Sequence, residues 1–313
     1  MSRDLTAIVG AGALGVMYAG QIHRAGLPVA FVAEGERAER LRRETILLNG
    51  GALDVPVIGW DHPPAAHIII AVKHHHLPEV CRYLGEASLA GPDSAVLSVM
   101  NGIESEEKLQ AALDRKSGAV VLPAMAAGMD AVRTDGGVSY AALGRIFYGA
   151  PPDRPGPLAE RALRRMKSFL EQAGIPGVIP EDITHAIWNK YMLNVGINQW
   201  SAVLRARYHV FHQEGPGRNL MRAAMREVLA VARARGVNLS ESDLEGWFPV
   251  VESLGARGKT SMLQDVEARR KTEVEMLAGH LVEMGEELGV ATPVNQCLLE
   301  AIRVIEEGYS SAR

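Results

Sequence analysis

Residues 5–20, LTAIVGAGALGVMYAG, run from a β-rich apolar stretch into a helical period through three glycines, Gly10, Gly12 and Gly15. This is G-x-G-x-x-G with a strand before it and a helix after it, the context that a dinucleotide-binding turn demands. Gly10 permits the tight turn, Gly12 lets the backbone approach a pyrophosphate, and Gly15 allows close helix–strand contact. Ala13 and Leu14 open the helix, whose free backbone N–H groups would hold phosphate oxygens. The plainer alternative is a glycine-rich strand–helix turn with no ligand. Either way the chain must begin with a β-α unit on a sheet.

The rest of the first half repeats that unit. Residues 28–33, 67–72 and 94–99 are apolar with few polar interruptions, as suits strands covered on both faces. Helical periods fall between them, at about 13–25, 36–44, 79–89 and 104–114. Such alternation predicts a doubly wound α/β, Rossmann-like sheet. GGVSYAAL and GRIFYGA then read as two shorter strands, open to antiparallel pairing with each other. A proline-rich loop at 150–157, a helix at 158–173 and a short run at 175–179 complete this part. From Pro180 onward only helical periods occur, at about 181–204, 218–235, 240–254, 261–288 and 293–307. Two domains are expected: 1–180 as the dinucleotide-binding domain and 181–313 as an all-α C-terminal domain.

Composition narrows the function classes. The 313 residues carry a net charge of −4, which gives no general attraction to nucleic acid or an anionic membrane. Basic clusters such as ERAERLRRE mix acids with bases at helical spacing and read as solvated helix faces. Two cysteines, Cys81 and Cys297, argue against a disulfide framework and fit a reducing compartment. No apolar run approaches the ~20 residues needed to span a bilayer. A cytoplasmic protein with a small-molecule ligand is the expectation, with a homodimer left open.

Three places carry candidate chemistry. Glu34 ends the second strand, 19 residues past Gly15, where a carboxylate accepts hydrogen bonds from ribose hydroxyls and repels a 2′-phosphate. That favours NADH, although Arg37 nearby could serve a phosphate and so leaves NADPH as the alternative. Lys73 and Asn101-Gly102 follow the third and fourth strands, at the carboxyl ends where open α/β sheets bind ligands. His74, His75 and His76 point in different directions in any regular structure and cannot jointly ligate one ion. They read as the opening of the next helix, and no metal is expected. Lastly, WNKYMLNVGIN spaces Lys190, Asn194 and Asn198 four residues apart, nearly on one helix face, within a segment otherwise apolar.

GAGALG, AVK, NGIESEEKL, WNKYMLNVGIN and SMLQDVEARRKTEVEMLAGHLVEMGEELGVATPVN together resemble the ketopantoate reductase (2-dehydropantoate 2-reductase) family over nearly the whole length. The resemblance implies a Rossmann domain plus a helical domain like the C-terminal one of 6-phosphogluconate dehydrogenase. It implies NAD(P)H-dependent reduction of a 2-oxo acid, ketopantoate to pantoate in pantothenate biosynthesis, in an interdomain cleft. By the resemblance Lys190 is the general acid, and Asn194, Asn198 and Ser261 bind substrate. Asn101 belongs to the substrate and cofactor contacts, and Glu273 contacts substrate or the lysine. The residue types suit the chemistry: hydride arriving at a ketone carbon drives charge onto oxygen, which an ammonium polarises and then protonates. Partial burial should lower the lysine pKa toward the working range. Neutral amides hold oxygens without competing for the proton.

Some positions depart from the family pattern. Glu34 stands where the family has an NADP-binding arginine. Gly258 and Tyr208 replace two asparagines, and Met100 replaces a glutamine. These changes thin the contacts to pantoate's hydroxyls, so reduction of a different 2- or 3-oxo acid is an alternative. A dinucleotide-sensing or partner-binding module without turnover is a further one. Ser261 also fits a capping box with Gln264. On one straight helix over 261–288, Ser261 and Glu273 would lie about 18 Å apart, too far to share a small substrate.

Overall fold

The computed structural model describes residues 4–134 and 136–309. They form two compact units, divided between Thr184 and His185.

In the first unit β1 (Thr6–Val9), α1 (Ala13–Arg24), β2 (Val29–Val32) and α2 (Gly35–Arg43) open the chain. A small excursion, β3 (Ile46–Leu48) and β4 (Gly51–Leu53), precedes β5 (Val57–Ile58). Then come β6 (His67–Ile70), α3 (Leu77–Glu86), β7 (Ala95–Ser98), α4 (Ser105–Leu113) and β8 (Val120–Leu122). The main sheet has the order β5-β2-β1-β6-β7-β8, and every neighbouring pair is parallel. The order reverses between β1 and β6, the switch point beside which open α/β sheets bind ligands.

Burial explains why the strands read as unbroken apolar runs. Ile8, Phe31, Ile69 and Leu97 pack into one core layer. Their chain neighbours Ala7, Val9, Ile68, Ile70 and Val96 pack into the other. Both faces of the sheet are covered, so alternation with polar residues has no place in it.

Two smaller sheets follow from β9 (Ala124–Met129), β10 (Val132–Thr134), β11 (Gly137–Ser139), β12 (Leu143–Tyr148), α5 (Pro157–Gln172) and β13 (Gly177–Val178). Here the sequence reading needs correction. The strands at GGVSYAAL and GRIFYGA, β11 and β12, do not pair with each other. β11 pairs with β10 and β3, whereas β12 pairs with β9 and β13. The partners of β11 have three residues each and carry almost no periodicity, and β12 takes as partners the six-residue β9 and the two-residue β13, both outside those two runs.

The second unit is helical, and no strand follows Val178 among the described residues. It comprises α6 (Ile183–Val203, which begins just before the division), α7 (Pro216–Ala234), α8 (Glu241–Ser253), α9 (Ser261–Glu267), α10 (His280–Leu288) and α11 (Pro293–Glu307). The helix expected over 261–288 is not continuous. α9 stops at Glu267, Arg269 takes a left-handed conformation at φ +50°, and a π-helical turn, Glu275–Gly279, leads into α10. A buried polar chain crosses the helices: Gln199 Nε2 donates to Asn295 Oδ1 at 3.1 Å, and Asn295 Nδ2 donates to Glu227 Oε2 at 2.7 Å. The Glu227 carboxylate also accepts from the first backbone N–H groups of α11, at Val294 (2.8 Å) and Asn295 (2.9 Å). It thereby satisfies donors that a helix start leaves without partners.

His67 opens β6 in the core, stacked on Phe169 with ring centroids 4.2 Å apart. Its Nδ1 has no hydrogen-bond partner. Burial, aided by Arg165 and opposed by Asp4, pushes its pKa down to about 4. The unfolded chain therefore takes up this proton first as pH falls, so the stabilisation is complete above about pH 6.5 and lost on approaching pH 4. His67→Gln should remove a decline of about 3 kcal/mol between those limits, seen by comparing denaturant midpoints of both proteins at pH 7 and 4.5.

Candidate active site

The glycine loop joins β1 to α1, and Gly10 and Gly15 are required there for different steric reasons, whereas Gly12 leaves open space. Gly10 has φ +111°, and a Cβ there would lie 2.5 Å from the Ala71 carbonyl oxygen. A Cβ on Gly15 would lie 1.8 Å from the Gly10 carbonyl oxygen, so helix and turn touch backbone to backbone. Around Gly12 the space is open, with only the Ala71 oxygen at 3.9 Å. Gly12 is the N-cap of α1, no side chain caps it, and the first turn, with Ala13 and Leu14, contains no acid. A concave backbone with uncapped N–H groups and no competing carboxylate fits a dinucleotide pyrophosphate.

One neighbour of this loop had no sequence signal. Arg133 on β10 hydrogen-bonds through Nη1 to the carbonyl oxygen of Ala11. Its contact is 122 positions away along the chain and rests on the small sheet, which periodicity did not resolve. Glu34 caps the strand end before α2 and is exposed. Its Oε1 accepts from the Trp60 backbone N–H at 3.3 Å. Arg37, one turn on, has its pKa lowered by partial desolvation and by the charges of Arg40 and Arg133, with Glu79 opposing.

Lys73 and Asn101 occupy half-buried positions beyond β6 and β7, and Gly102 takes φ +98°. His74–His76 form a 3₁₀ turn leading into α3. His74 hydrogen-bonds Glu104, while His75 and His76 stack obliquely with centroids 4.2 Å apart. No three His, Cys, Asp or Glu side chains among the described residues are grouped to hold a metal ion.

In the second unit, α6 carries Lys190 and Asn194 half-buried and Asn198 buried, flanked by the buried Trp188, Tyr191, Met192, Val195 and Ile197. Two hydrogen bonds relate other candidates to this helix. Tyr191 Oη donates to the Leu277 carbonyl at 2.6 Å, within the π-helical turn. That turn hangs from Glu273, whose carbonyl accepts from Met276 and Leu277. Ten residues along α6, Ser201 Oγ accepts from Thr260 Oγ1 at 3.1 Å, beside Ser261. The break after Glu267 thus removes the constraint of one straight helix. The segment holding Glu273 is tied near Lys190, and the one holding Ser261 is tied near Asn198, about 15 Å apart on the α6 axis.

The acids differ in exposure. Glu273 is 9% exposed. Its neighbours Glu267 and Glu275 form ion pairs with Lys259 (2.6 Å) and Arg303 (2.8 Å). Ser261 itself is exposed and is not the cap of α9. Thr260 takes that role, accepting from the Leu263 N–H at 3.2 Å, because its hydroxyl is one residue nearer the extended entry to the helix. Gly258 and Tyr208, the two positions where the resemblance leads one to expect asparagines, form one packing unit. A Cβ at 258 would lie 2.7 Å from Tyr208 Cδ2, so the ring fills that volume. The Tyr208 N–H also donates to the Gly258 carbonyl at 3.2 Å, and burial raises the pKa of the phenol.

Tyr191→Phe leaves the ring packing intact and strips the hydroxyl from a carbonyl in the π-helical turn. A loss of about 1–2 kcal/mol in stability is expected, measured by equilibrium denaturation. Turnover should fall beyond what the lost stability explains, because the Glu273 segment loses its tie to α6.

Comparison with known proteins agrees along the chain. Residues 6–153 match the family model "Ketopantoate reductase PanE/ApbA", and residues 182–306 match its C-terminal counterpart. The 2-dehydropantoate 2-reductase of Archaeoglobus fulgidus is 31% identical over 302 residues, covering 96% of this chain and 97% of that protein. Among solved structures, 2-dehydropantoate 2-reductase from Methylococcus capsulatus is similar with a TM-score of 0.80 at 25% identity, covering 98% of each chain. A D-mandelate dehydrogenase in complex with NADH shares the fold with a TM-score of 0.83 at 21% identity, over 97% of this chain and 99% of that one. The chain belongs to the ketopantoate reductase family.

Proposed function

We propose that this protein reduces a 2-oxo acid to the 2-hydroxy acid with a reduced nicotinamide dinucleotide, ketopantoate being the first candidate substrate. Residues 1–180 bind the dinucleotide through Gly10, Gly12, Ala13, Leu14, Gly15, Glu34, Lys73 and Asn101. Residues 181–313 supply Lys190, Asn194, Asn198, Ser261 and Glu273 for substrate and catalysis. The observation that carries this reading is the polar face of α6, held among buried apolar neighbours, with a buried glutamate on a segment tied to the same helix.

The bound dinucleotide supplies the hydride. The Lys190 ammonium polarises the ketone oxygen and donates the proton that converts the developing alkoxide to a hydroxyl. Asn194 and Asn198 donate to substrate oxygens through their amides, and Ser261 through its hydroxyl. Glu273 favours the charged ammonium where it lies near Lys190.

Glu34 favours NADH, since a carboxylate at the end of β2 repels a 2′-phosphate. The opposing observation is the positive charge of Arg37, Arg40 and Arg133 nearby. A second substrate reading is favoured by Tyr208 lying over Gly258: an aromatic ring where the family has amides suits a 2-oxo acid with an apolar substituent better than one with hydroxyls.

Steady-state oxidation of NADH and NADPH with ketopantoate, beside a panel of other 2-oxo acids, tests all three points. Turnover with NADH preferred is expected; preference for NADPH overturns the Glu34 reading. Activity confined to other 2-oxo acids makes Tyr208 and Gly258 the specificity pair. Lys190→Ala should lower kcat by roughly 10²–10⁴ while the dissociation constant for the dinucleotide stays within about twofold. Wild-type protein that binds the dinucleotide but turns over none of the acids would leave the module without turnover.

A further inference from the structure

β6 and β7 are neighbours in the parallel sheet, with Ile70 opposite Ser98. A backbone hydrogen bond from Val99 N–H to the Ile70 carbonyl, 3.0 Å, carries the ladder one step past the strands. Beyond it the two chains diverge. One runs through Lys73 into the turn His74–His76; the other passes Asn101 and Gly102 and enters α4. Glu104, the N-cap residue of α4, is 6% exposed. His74 Nε2 hydrogen-bonds its Oε1, and Lys108 Nζ donates to its Oε2 at 2.8 Å. A carboxylate this deep is costly unless paired.

These two hydrogen bonds do different things. Lys108 lies one turn along the helix that Glu104 caps, so that bond stays within a single element. The bond to His74 crosses 30 residues of chain. It joins the strand-end loops one residue past Lys73 and three residues past Asn101. We propose that Glu104, acting through His74, is a positioning residue for dinucleotide binding, holding the loops that carry Lys73 and Asn101 at a fixed separation. This rests on the reading that those two loops face the dinucleotide. Loops already ordered do not have to be ordered by the ligand, and that saving appears in affinity. It also gives the histidine run a role: His74 is the crosslink.

The test is fluorescence titration of the full-length protein with NADH and NADPH, alongside steady-state kinetics. Glu104→Ala and His74→Ala should each raise the dinucleotide Kd and KM about tenfold, with kcat within about twofold. Glu104→Gln retains a neutral hydrogen bond and should fall between them and wild type. Lys108→Met should match wild type. Should Glu104→Ala fail to fold, His74→Ala at its half-buried position gives the same readout. Unchanged Kd in the variants overturns the proposal, whatever their thermal stability. So does Lys108→Met equalling Glu104→Ala, which would make helix stability the cause. Wild-type protein that binds neither dinucleotide removes the parent reading and this one with it, an outcome distinct from wild-type binding that the variants leave untouched.

Discussion

Helix α1 rests on the turn that precedes it with room for a hydrogen atom and nothing more. The Gly15 Cα faces the Gly10 carbonyl so closely that a methyl group would overlap it. Gly10 in turn lies against the Ala71 carbonyl beyond β6, with a backbone conformation that L side chains rarely adopt. These contacts place the loop where the strand order reverses, between β1 and β6, and point the start of α1 into the gap. The strand-end positions Glu34, Lys73 and Asn101 are set out around that point by the parallel register. The glycines therefore act twice, in packing the helix on the sheet and in leaving an open backbone surface at Gly12.

In the second unit α6 plays the corresponding part. It is unusual in being apolar on most sides while carrying an ammonium and two amides along one line. The apolar sides are what hold that line in place, since a buried helix has few ways to rotate. Tyr191 and Ser201 fix the neighbouring segments at points about three turns apart, each through a hydroxyl bonded to oxygen. In the same turn as Ser201, Gln199 leads into the buried chain through Asn295 to Glu227, where a carboxylate serves the positive end of α11. Polar groups placed so deep favour one arrangement of the helices over others of similar apolar packing.

Much of this was legible in the residues. Long apolar runs marked the four central strands because each is covered on both faces, and 3.6-residue periods marked the long helices. The glycine spacing, Glu34 and the polar line on α6 are local patterns, and local patterns survive in a sequence. The small sheets were harder. β3, β4, β10 and β11 have three residues each, too short for a period to show. The pairing of β12 with β9 and β13 depends on chain that returns from elsewhere. Thr260 rather than Ser261 caps α9: the two hydroxyls are equivalent, and only the backbone angle at the entry tells them apart.

By itself the sequence determined the class of fold, the division into an α/β part and a helical part, and the polar line of Lys190, Asn194 and Asn198 on α6. It could do so because each depends on spacing within a few turns or strands. Only the tertiary structure decided which strands pair in the small sheets, that the helix expected over 261–288 breaks, and that Glu273 is buried while Glu267 and Glu275 are more exposed. It alone brought Arg133 to the glycine loop and His74 to Glu104. Those outcomes come from contacts between residues far apart in the chain, whose energies are not written in any one segment.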